Sequence, residues 1–163
     1  MIDSKVIPFI KIIKDWRLMI CGCVGIGLLF YSLTSPLGFI LLFNAFDLLG
    51  YRNMLDSEDT TNKFQVASYR IMQIMFQVLL MVLLWKFYAL KFAVAAVVMH
   101  MFGCSDLLYY IVGEYDIDQE WTWLKWTPIG AIANLWKRGL SGFEVVWQAG
   151  AGVAVYIIIL IAG

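Results

Sequence analysis

LMICGCVGIGLLFYSLTSPLGFILLFNAF, residues 18–46, contains no charged side chain. A helix that crosses a bilayer takes about 20 mostly apolar residues, so this stretch is too long for one crossing. Its middle, Ser32-Leu33-Thr34-Ser35-Pro36, supplies hydroxyls that can cap a helix and a proline that can open the next. The reading is two spans, 18–33 and 36–52, the second carrying Asp47 and running on into Tyr51-Arg52.

Working outward, the other charge-free stretches are 71–85, 92–105 and 145–163. The first needs Arg70 and Lys86 at its ends, where long cationic side chains reach the interface, and predicts a span over 67–87. Two more are predicted over 92–112 and 143–162, with a very short turn near Leu90 between the third and fourth. The composition agrees: of 163 residues 62% are hydrophobic and 15% charged, against about a quarter charged in a soluble domain. The expected fold is therefore all-α, a polytopic transmembrane helical bundle of about five spans forming one integral membrane domain over 1–163.

Charge placement sets the expected orientation. With five spans, Lys5, Lys11, Lys14, Arg17, Arg52, Lys63, Arg70, Lys125, Lys137 and Arg138 fall on one side, and Lys86 and Lys91 on the other. A four-crossing arrangement, with 18–50 as one crossing or a re-entrant hairpin, loses this bias. The positive-inside rule then puts the N-terminus in the cytoplasm and the C-terminus opposite, in a plasma or bacterial inner membrane. Val6–Arg17 reads as an N-terminal amphipathic interfacial helix, with Phe9, Ile10, Ile12 and Ile13 set among basic residues. Residues 53–65 read as a solvated loop, and 114–142, with Trp121, Trp123, Trp126 and Trp136, as a headgroup-layer segment.

Several classes are excluded. Twelve basic against twelve acidic residues offer no basic surface for nucleic acid. One histidine precludes a multi-histidine metal centre, and three cysteines without a CxxC give no disulfide framework. No cofactor is indicated.

Ionisable groups at membrane depth form the search list for a site. Asp47 shares a helical face with Asn44 and Tyr51, as an ion or proton site or as a structural seam against Arg70 or His100. His100 near the middle of the fourth span is a candidate relay or base, or a neutral interhelical donor. Asp106 lies six residues on, off His100's face if the helix is straight, so a partner for His100 is expected from another span, Asp47 first and Glu144 next. Glu144 and Gln148 share a face that could join Gln73 and Gln77 in a polar seam. Glu114, Asp116, Asp118 and Glu120 are the candidate oxygen ligands for a hard cation, although the run lacks EF-hand spacing and also reads as a solvated acidic turn. Gly22, Gly25 and Gly27 permit close helix approach.

The expected function is a non-enzymatic membrane protein, either a subunit of a larger membrane complex or a small oligomeric ion, proton or small-solute transporter. Its expected partners are membrane lipids and other membrane subunits or copies of itself. The alternative is a small membrane-embedded enzyme acting on a lipid or isoprenoid-like substrate, with His100 as base and Asp106 beside it. A scaffold contacting a soluble partner through 53–65 or 114–142 is a third reading.

Overall fold

The computed structural model describes residues 15–55, 63–114, 117 and 120–162. They form seven α-helices: α1 (Trp16–Leu29), α2 (Ser35–Leu55), α3 (Lys63–Phe87), α4 (Leu90–Met101), α5 (Cys104–Gly113), α6 (Pro128–Leu135) and α7 (Gly142–Ala162). The expected amphipathic helix before Asp15 lies outside the described residues.

Asp15 opens α1 by accepting from the Arg17 amide at 3.1 Å. Hydroxyls build the turn that follows. Thr34 Oγ1 donates to the Leu28 carbonyl at 2.9 Å, satisfying one that the end of α1 leaves open, and Ser35 Oγ donates to the turn carbonyl of Ser32 at 2.8 Å. The two helices pack back on each other through glycine. A Cβ on Gly38 would lie 2.8 Å from the Gly25 carbonyl oxygen and 2.9 Å from the Leu29 nitrogen, so the backbones touch. Gly22 and Gly27 face open space.

α3 turns directly into α4 at Tyr88-Ala89. Between α4 and α5 the chain bends by 62°. Gly103 causes this: its φ of +77° is a left-handed conformation that closes α4, its amide donating to the His100 carbonyl at 2.9 Å.

Residues 120–142 close the far end of the fold. Trp121 and Leu140 exchange backbone hydrogen bonds at 2.8 and 3.2 Å, and both are buried with Leu124, Ala133 and Val145 in a second small core. Thr127 caps α6, accepting from the Gly130 amide at 3.2 Å ahead of Pro128 in the first turn. Ser141 and Glu144 cap α7 reciprocally: the Ser141 amide donates to Glu144 Oε2 at 2.9 Å and the Glu144 amide to Ser141 Oγ at 3.3 Å. The main core gathers Phe39 and Ile40 of α2, Leu80 and Leu84 of α3, and Ala95, Ala96 and Met99 of α4.

The five-span bundle is corrected by these lengths. Among the described residues two helices are long and apolar enough to cross a membrane, Val66–Phe87 and Gly142–Ala162, and a third crossing exists only if the bent α4–α5 pair counts as one. α1, with 14 residues, is about 21 Å long at 1.5 Å per residue, short of the ~30 Å hydrocarbon layer. The apolar part of α2, Ser35–Gly50, is short as well. Apolar length is not crossing length here: α1 and α2 pack on each other at Gly25 and Gly38, and the apolar run of each stops short of a full crossing while Met19, Ile20, Val24 and Ile26 stay exposed. The assignment to a plasma or inner membrane with termini on opposite sides rested on five crossings and falls with them. The headgroup reading of 114–142 changes too, because Trp121 is buried while Trp136 is exposed.

Candidate active site

The break at Gly103 positions the site. It carries Ser105 back beneath the end of α4, and His100 Nδ1 meets Ser105 Oγ at 2.6 Å. The His100 ring is held edge-on by Phe43 of α2, with centroids 4.9 Å apart, and is covered by Trp126 at 5.4 Å. Asn44, one turn before Asp47 on α2, donates from Nδ2 to the Ser105 carbonyl at 3.3 Å. Asn44 is buried, and its Oδ1 has no hydrogen-bond partner.

Asp47 continues this polar line toward α3. Its Oδ1 accepts from the Tyr69 hydroxyl and from Gln73 Nε2, the latter at 2.8 Å. Gln73 Oε1 in turn accepts from Arg70 Nη1 at 2.7 Å. Gly50 makes room for the Tyr69 ring, with which a Cβ there would collide. Asp106, in the first turn of α5, feels both the Asp47 carboxylate and the Arg70 guanidinium. Gln148 of α7 closes the other side: its Oε1 accepts from the Ile129 amide at 2.8 Å, while its Nε2 is buried, has no partner, and lies 3.3 Å from where a Cβ on Gly103 would stand.

Asn44, Asp47, His100, Asp106 and Gln148 thus border one region. His100 bonds to Ser105, a residue that sequence reasoning passed over, because the separation of His100 from its successors had been measured along a straight helix. Gly103 within an apolar run, followed by Ser105 and Asp106, is the signal that finds it.

Glu144 lies elsewhere. It takes a two-pronged hydrogen bond from Arg138, at 2.7 and 2.5 Å, besides its capping role. That bond holds the Arg138 guanidinium above its ordinary pKa. Of the candidate cation ligands, Glu114 pairs with Arg17 and Glu120 accepts from the Gly139 amide at 2.6 Å, while Asp116 and Asp118 fall outside the described residues. Among the described residues no three His, Cys, Asp or Glu side chains gather as a metal site.

The transport and complex-subunit reading is corrected by this geometry. The polar residues bond to one another across the interior, with Asn44 Oδ1 and Gln148 Nε2 left without partners. Two surface grooves are apolar: one is lined by residues of α3 and α4, the other by Phe143, Val146, Trp147 and small residues of α7. A histidine in contact with a hydroxyl and packed between Phe43 and Trp126 is suited instead to proton transfer on a bound substrate. Comparison with family models, curated proteins and solved structures finds no match for the chain.

Proposed function

We propose that the chain is a small membrane-embedded enzyme acting on the polar end of a lipid or isoprenoid-like substrate, with His100 as its base and the Ser105 hydroxyl in contact with it. The observation that carries this reading is the 2.6 Å contact between His100 and Ser105, within the reach a general base needs.

The surroundings suit an apolar substrate. A groove of about 260 Å³ runs between α3 and α4, bordered by Met81, Trp85, Val94 and Val97. Val97 stands one turn before His100 on the same face of α4, so an acyl or prenyl chain in the groove would bring its head group toward the histidine.

The test uses the full chain in nanodiscs containing extracted lipids, with lipid species followed by mass spectrometry against a His100→Asn variant. Consumption of a lipid species that the variant slows by about 100-fold, the ordinary contribution of a general base, supports the reading. No change in any species, or equal turnover by both proteins, refutes it.

A further inference from the structure

We infer that Ser105 is a covalent nucleophile and that the substrate is a long-chain carboxylic ester, cleaved through an acyl-Ser105 intermediate. This rests on the enzyme reading above and specifies its chemistry.

Three independent features meet at Ser105. Its Oγ already contacts His100 Nδ1, the arrangement in which a neutral imidazole takes the hydroxyl proton during attack. It is also the second residue of α5, a helix of 10 residues whose start at Gly103 has no side-chain cap. The first-turn amides of such a helix favour negative charge. Finally, Gln148 Nε2, a fully buried donor with no acceptor, abuts Gly103. An unpartnered buried donor is costly, and a carbonyl oxygen becoming an oxyanion at the start of α5 would satisfy it.

Burial selects the substrate: Ser105 and Gln148 are buried, so an anionic phosphate centre would lose its hydration on reaching them, whereas a neutral ester carbonyl loses far less. Cys104 is set aside as the nucleophile because its thiol donates to the Ala149 carbonyl at 3.4 Å, whereas His100 contacts the Ser105 hydroxyl.

The steps balance without any further reagent than water. Ser105 Oγ bonds to the ester carbon as its proton passes to His100 Nδ1. The carbon–alkoxy bond then breaks, and His100 returns that proton to the departing alcohol. Water then attacks the acyl-serine, giving a proton to His100; the acyl carbon–Oγ bond breaks, His100 returns that proton to Ser105 Oγ, and the fatty acid leaves.

The experiment treats the full chain in nanodiscs with a dodecyl fluorophosphonate, which forms an Oγ–P bond and loses fluoride, and maps the adduct by peptide mass spectrometry. One adduct on Ser105 is expected, present in Cys104→Ala, absent in Ser105→Ala and formed about 100-fold more slowly in His100→Asn. Because Asn can still hydrogen-bond to Ser105, a His100→Asn protein of unchanged thermal stability separates loss of the base from loss of the fold. No adduct on Ser105, or an adduct formed equally fast without His100, overturns the proposal. If lipid turnover then still depends on His100, the enzyme reading survives and the acyl-serine does not; if turnover is absent too, both fail.

Discussion

Replacing Thr127 by valine keeps the shape of the side chain and removes its hydroxyl. That hydroxyl accepts from the Gly130 amide at 3.2 Å and donates to the Leu124 carbonyl at 2.7 Å, in a residue with no exposed surface. Loss of an N-cap costs roughly 0.5–2 kcal/mol, and the upper end applies here because the Gly130 amide is left without its acceptor at a buried position. The Leu124 carbonyl retains the Thr127 amide at 3.1 Å, so it adds little. A local destabilisation of about 2 kcal/mol raises the open population some 30-fold. Lys125, Lys137 and Arg138 are exposed on either side of α6, and trypsin cleavage there reports that opening when closing outpaces cutting. The assay is the initial rate of cutting at these positions in nanodiscs, compared with Thr127→Ser, which keeps the hydroxyl and should stay within about 3-fold of the parent. A Thr127→Val protein cut no faster than Thr127→Ser would refute the cap as the element that holds this segment, and with it Trp126, over His100.

Two further outcomes follow from packing and exposure. Gly38→Val should separate α1 from α2 and lower the yield of folded protein in detergent, because its added carbons meet backbone atoms under 3 Å away, while Gly22→Ala, with nothing within 4 Å, should match the parent. Single cysteines at Ile71, Met75 and Leu79, all exposed on α3, should resist a membrane-impermeant maleimide in a cysteine-free background but react after detergent solubilisation. Full labelling in intact membranes would remove α3 from the two helices able to cross.

Part of this organisation is legible in the sequence. Ser32 to Pro36 marks the α1–α2 turn because hydroxyls and proline act within a few residues of themselves. Thr127-Pro128 and Ser141-x-x-Glu144 are local signals of the same kind that went unused, since the tryptophans around them drew the reading toward the membrane surface. Crossing number was not legible, because hydropathy is the same whether an apolar face meets lipid or another helix; Gly25 and Gly38 decide that only once paired in space. The site was half legible. Asn44, Asp47, His100, Asp106 and Gln148 stand out as polar residues in apolar runs, whereas Tyr69 and Ser105 enter through tertiary contacts and a helix break that spacing along a straight helix hides.

That break has an electrical consequence. α4 ends at Met101, so His100 lies among the last carbonyls of one helix, where the peptide dipoles leave partial negative charge; Ser105 lies among the first amides of the next, where they leave partial positive charge. Moving a proton from Ser105 to His100 creates a cation at the negative pole and an anion at the positive one. Each pole favours its charge by roughly 0.3–1 kcal/mol at an exposed site and up to ~2 kcal/mol when partly buried. An unbroken helix through residues 90–113 would have cancelled these poles against each other along its length. By interrupting it, Gly103 gives an apolar interior a field directed along the path of the proton.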